Sequence, residues 1–145
     1  AARPRSSTRR TAAGSPGGSS VILNVDPSAA LPVYEQIRQQ ITLMAVSGVL
    51  DPGTRLPTIR QLANDLGLAK GTVAKAYSLL ESAAVVESRG HRGTFVREVA
   101  AEDPVTAELP TLGEAAQAYA VVAHQHGVGW TEVVAELERQ WKLLG

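Results

Sequence analysis

Basic side chains gather in the middle of the chain, where Arg55, Arg60, Lys70, Lys75, Arg89, Arg92 and Arg97 are set against only Asp65, Glu81 and Glu87. Unaided, such a cluster does electrostatic chemistry: it holds a polyanion through its phosphates. Covalent or acid–base chemistry would need other groups. Cysteine is absent, which removes thiolate nucleophiles, disulfides and sulfur-ligated zinc. There is no recognisable nucleophile with its base, carboxylate pair or phosphate-binding glycine loop, so the chain is not expected to be an enzyme. His124 and His126, two residues apart, fall on different faces of a helix and lack a nearby third ligand, so neither a metal nor another cofactor is expected.

The elements that must position these cations follow from hydrophobic period. A first helix opens near Pro32, places Val33, Tyr34, Ile37, Ile41 and Met44 on one face, and stops at Gly48. After the turn Asp51-Pro52-Gly53, Thr58-Ile59-Arg60-Gln61 has capping-box spacing and starts a second helix that buries Ile59, Leu62, Ala63 and Leu66. Gly67 ends it. Val73, Ala76, Tyr77 and Leu80 repeat the pattern in a third helix from about Lys70 to Ser82. What remains facing outward is Lys70, Gly71, Thr72, Ala74, Lys75 and Ser78, a small or basic surface with no acid before Glu81. It can enter a major groove without steric or charge conflict. Val85–Ser88 and Thr94–Arg97 are β-prone and flank the basic loop Arg89, Gly90, His91, Arg92 and Gly93, a hairpin whose tip would meet the DNA backbone or minor groove. Two helices on a glycine turn followed by this hairpin make a winged helix-turn-helix. Arg60, in the first turn of the second helix, is placed to reach phosphate or a guanine edge.

Residues 1–20 carry arginines and small or polar residues but no large apolar side chain, and are expected to be a disordered basic tail. The winged helix then spans 21–98, an acidic linker 99–110, and a two-helix region 111–145. Thr111-Leu112-Gly113-Glu114 is a second capping box, and Thr131 is expected to cap the last helix. Trp130, Val133, Val134, Leu137, Trp141 and Leu144 form a stripe too apolar for a lone hairpin to cover. It must meet either the face of Ile37, Ile41 and Met44 or a second subunit; the second makes Trp130, Val134, Leu137 and Trp141 dimerisation residues. Two helices are too few to enclose a pocket of ~300 Å³, so a small-molecule effector would bind at a subunit interface or against the winged helix. The longest small apolar run, Ala118–Ala123, is far below the ~18 residues of a membrane span, and no secretory signal is visible. The expected class is a mainly α protein with a small β hairpin (α+β), cytoplasmic and without membrane contact.

Residues 31–97 resemble the DNA-binding domain of the GntR family of bacterial regulators, through Pro32-Val33-Tyr34-Glu35-Gln36-Ile37, Pro52 to Ala63, Gly71-Thr72-Val73, and Arg92-Gly93-Thr94-Phe95-Val96. The resemblance implies that Arg60, Lys70, Gly71 and Thr72 lie at operator-contacting positions and that Gly90, His91 and Arg92 belong to the wing tip. The short C-terminus is similar to the YtrA subfamily, in which the tail dimerises and no large effector domain follows. The chain departs from the family pattern at Ala69, where a serine usually caps the recognition helix, at Ala74, where many members have an arginine, and at Ala84, where a glycine commonly leaves that helix. The function implied is sequence-specific transcriptional regulation, as a repressor before an activator, by a homodimer on a palindromic double-stranded operator. The rival is an architectural or adaptor winged helix with a protein partner, which would not require the acid-free outer face.

Overall fold

The computed structural model describes residues 10–12, 21 and 23–145. The described chain divides into two compact units, the first running to Thr106 and the second from Ala107 to Gly145.

In the first unit, β1 (Arg10–Ala12) pairs antiparallel with β2 (Leu23–Val25). The expectation of a disordered tail therefore does not hold for Arg10–Ala12, because pairing along β2 uses backbone groups and needs no large apolar side chain. The rest of that expectation lies outside the described residues. Three helices follow, α1 (Val33–Val46), α2 (Ile59–Leu66) and α3 (Lys70–Ser82). Their inward faces merge into one core: Ile37, Ile41 and Met44 from α1, Leu62 and Leu66 from α2, and Val73, Ala76, Tyr77 and Leu80 from α3. Leu23 and Val25 seal it from the strand side. Each fully buried leucine or isoleucine contributes about 1.5–3 kcal/mol. Gln36 is buried too, and its amide accepts from Asp26 N at 2.7 Å while donating to the Asp26 and Leu31 carbonyls at 2.9 and 2.8 Å. The entry into α1 is thereby closed on its own backbone.

The hairpin comprises β3 (Val86–Ser88) and β4 (Thr94–Val96), paired Val86 to Val96, Glu87 to Phe95 and Ser88 to Thr94. A further edge comes from the loop before α2. Gly53 N donates to Val96 O, Val96 N to Thr54 O and Leu56 N to Thr94 O, each at 2.8 Å, and Arg55 bridges Phe95. The stretch just after the expected Asp51-Pro52-Gly53 turn thus lies along the wing as a short bridged edge.

The stretch expected as linker is partly ordered into the first unit. Val105, in the single-turn helix Pro104–Glu108, is buried in the core, and Val99 packs on it. An isolated valine among acids and prolines carries no periodic signal.

The second unit is a helical hairpin of α4 (Leu112–Gln125) and α5 (Trp130–Leu144). The Thr111–Glu114 capping box is formed in both directions, at 3.2 and 2.8 Å. Thr131 is not the cap of α5. The helix begins two residues earlier than that cap implies, at Trp130, with Gly129 in the capping position and no side-chain bond to it. The glycine reaches the required extended conformation at little cost, so no hydroxyl is needed.

Candidate nucleic-acid interface

The junction between α2 and α3 fixes the direction of the outward face. Thr58 and Gln61 cap α2 reciprocally at 3.1 and 3.0 Å, and Gly67, at φ +63°, turns the chain out of it while Leu68 N returns to Ala63 O at 2.8 Å. Ala69 stands at the capping position of α3 and offers no side-chain acceptor. The first turn of α3 therefore opens to solvent with its partial positive charge uncovered. Lys70 and Gly71 are exposed there, Ser78 is exposed two turns further on, and Thr72 and Ala74 are half-buried. From the far side, Tyr77 is buried and its hydroxyl donates to the Pro57 carbonyl at 2.6 Å.

The cations singled out from the sequence do not share one environment. Arg60 and Lys70 are exposed and make no ion pair among the described residues. Lys75 is drawn sideways, with its ammonium 4.0 Å from the centre of the Tyr34 ring on α1. The Glu35 carboxyl lies below the usual carboxylate range, chiefly through its hydrogen bond from Arg38, with Coulombic contributions from Arg38 and Lys75. On the wing, Arg89 donates to Glu87 at 2.7 Å and lies 4.3 Å over the Phe95 ring. Gly90, His91 and Arg92 form a tight exposed turn at the tip, with Gly90 at φ +60° and the loop closed by Arg89 N to Gly93 O at 2.8 Å.

Arg55 was counted in the basic stretch but given no place by sequence. Its position on the added wing edge puts its guanidinium against Gly93, where a β-carbon would stand 2.8 Å from Nε and 3.4 Å from Nη2. The only sequence signal is the neighbouring Pro-Gly turn, which announces a change of direction and not a strand partner.

In the second unit, Tyr119 donates to the Val133 carbonyl at 3.1 Å and Ala123 is buried, so α4 and α5 are in register. Their outer faces stay apolar: Trp130 and Trp141 are 80% and 81% exposed, Leu137 is exposed and Val134 half-buried. Ile37, Ile41 and Met44 are buried in the first unit's own core. A groove of about 390 Å³ runs between α4 and α5, floored by Tyr119, Ala123 and Val133 and edged by His126, Glu132 and Arg139. The exposed His126, Glu132 and Arg139 at its edge leave it open to solvent.

Comparison with known proteins agrees with this geometry. The sequence profile described as "Bacterial regulatory proteins, gntR family" matches residues 33–96. The chain is 46% identical over 106 residues to the HTH-type transcriptional regulator Rv1152 of Mycobacterium tuberculosis, covering 73% of this chain and 83% of the relative. It is 34% identical over 107 residues to the HTH-type transcriptional repressor YtrA of Bacillus subtilis, covering 74% and 82%. Among solved structures it is similar to YtrA from Sulfolobus acidocaldarius, a GntR-family transcription factor, at 32% identity and a TM-score of 0.51, over 60% of this chain and 92% of that one.

Proposed function

The chain belongs to the GntR family of bacterial transcriptional regulators and resembles its YtrA-type members, and from that premise we propose that it represses transcription as a homodimer on a two-fold symmetric operator. The observation that carries the reading is the outward face of α3, where Lys70, Gly71, Thr72 and Ser78 present small or basic groups and no carboxylate. Lys70, Gly71 and Thr72 are assigned to the major groove. Arg60 is assigned to phosphate or a guanine edge, and His91 and Arg92, on the turn set by Gly90, to the flanking backbone or minor groove.

One winged helix reads only a few base pairs, so specificity calls for two copies with half-sites about 10 bp apart. Trp130, Val134, Leu137 and Trp141 are assigned to the pairing of those copies. Burial of this stripe at ~25 cal/mol per Å² is of a size to offset association costs. A small-molecule effector would sit where a second subunit closes the groove between α4 and α5. Action in the cytoplasm, on the nucleoid, follows from the assigned partner. Among the described residues no helix is long and apolar enough to cross a membrane.

The test is a footprint on the intergenic DNA upstream of the chain's own gene. Protection of a symmetric pair of half-sites is expected. Binding no tighter than to random DNA would remove the regulatory reading, and protection of one asymmetric half-site would remove the dimer.

A further inference from the structure

We propose that Arg55 is an additional phosphate-binding residue of the DNA interface, with its guanidinium held over the bare α-carbon of Gly93 beside the wing tip, and that Arg89 does not share this role. The assignment rests on the DNA-binding reading and deepens it.

Three observations converge on Arg55. Its backbone is locked to the wing, because on either side Thr54 O accepts from Val96 N and Leu56 N donates to Thr94 O, each at 2.8 Å, and Arg55 itself bridges Phe95. Its side chain is also located: the absence of a β-carbon at Gly93, which sits at φ +115°, leaves the space that the guanidinium occupies. A cation whose backbone is already fixed loses less freedom on meeting a phosphate than one on a mobile loop. Finally, Arg55 is exposed and makes no ion pair among the described residues, so its charge is uncompensated. Gly93 adjoins Arg92 at the wing tip, so this charge adds to the one already assigned there. A planar guanidinium suits two oxygens of one phosphate.

Arg89 is the contrasting case. It shares the same loop, but its charge is met by Glu87 at 2.7 Å and its plane is covered by Phe95. Drawing it to DNA would strand the Glu87 carboxylate beside a polyanion. The local arrangement makes Arg89 a brace for the hairpin.

The experiment is an anisotropy titration of the full chain against a labelled random-sequence duplex over a range of salt concentrations. Arg55→Gln is expected to flatten the slope of log affinity against log salt by about 0.9, the value of one phosphate contact on B-DNA. Arg55→Lys should restore the slope while binding more weakly at fixed salt, since an ammonium replaces the fork. The double variant Glu87→Gln, Arg89→Gln removes a neutral pair and should keep the slope. An Arg55→Gln slope equal to that of the unmodified chain overturns the assignment, and a lowered melting temperature without a slope change identifies Arg55 as structural only. A double-variant slope flattened as much as that of Arg55→Gln overturns the exclusion of Arg89. An unmodified chain whose binding shows no salt dependence overturns the DNA reading itself.

Discussion

The Tyr77 hydroxyl reaches across from the inner face of α3 and donates to the Pro57 carbonyl at 2.6 Å. This single bond ties the outward-facing helix to the residue preceding the cap of α2. Burial pushes the phenol above its ordinary value and keeps it a donor. Tyr77→Phe should therefore lower stability by about 1 kcal/mol in urea denaturation, because the carbonyl loses its partner. The pH dependence has a definite sign. Above the ordinary phenol value of about 10 the unfolded chain releases a proton that the folded chain keeps, so stability falls as pH rises. The Phe variant should lack that component of alkaline loss.

Ala84 sits at φ +58°, a left-handed conformation that disfavours residues with a β-carbon. Ala84→Gly should raise stability by up to about 1 kcal/mol, the relief of strain exceeding the entropy that glycine loses on folding. Ala84→Val should do the opposite. Both are read from the denaturation midpoint, and a Gly variant less stable than the parent contradicts the account.

Ala69 leaves the start of α3 without a side-chain acceptor. Ala69→Ser should stabilise the free protein by about 1 kcal/mol by bonding a first-turn amide. The same bond occupies an amide donor at the end of α3 assigned to the major groove, so DNA affinity should not rise with stability. Parallel gains in melting temperature and affinity would show that DNA uses none of those amides.

Arg60→Ala, Lys70→Ala and Arg92→Ala should each reduce the salt slope of DNA binding by about 0.9 if each neutralises one phosphate. Lys75→Ala should reduce it less, because that ammonium rests 4.0 Å over Tyr34 and close enough to Glu35 to depress its carboxyl. Equal reductions at Lys70 and Lys75 would mean that the lysine leaves Tyr34 on binding.

A chain ending at Thr106 retains Val105, which belongs to the first unit's core. It should fold yet sediment as a monomer. In the full chain, Trp141→Glu or Leu137→Glu should reproduce that loss without altering the circular dichroism of the helices. A dimer in the shortened chain would place the pairing elsewhere.

Local signals were legible and distant ones were not. The Thr58 and Thr111 caps each lie within four residues, and the bounds of α3 follow from the spacing of Val73, Ala76, Tyr77 and Leu80. Lys75 could be seen as a cation, but its partner Tyr34 belongs to another helix, and only tertiary packing brings them together. Arg89 looked free because its loop is rich in glycine and charge, while the neutralising Glu87 was visible only as one acid in a basic stretch. Arg55 depended on a β-bridge to Phe95 that no turn residue encodes. The outward face of α3 was readable because removing its buried residues leaves it by subtraction, whereas the surroundings of Lys75 and Arg55 are set by residues remote in sequence.

The edge strand before α2 also constrains how this protein can change length. Along a strand successive side chains alternate between faces, and here Leu56 is buried while Arg55 is exposed. Sliding this edge by one residue against Thr94 and Val96, as a single deletion or insertion just before Leu56 would, exchanges the two: a guanidinium driven into the core and a leucine turned to water. Substitutions within Asp51–Thr54 can be absorbed by a turn, but a single-residue gap cannot. Among descendants of this gene, that short stretch should hold its length, and Gly53, at φ +88°, its identity.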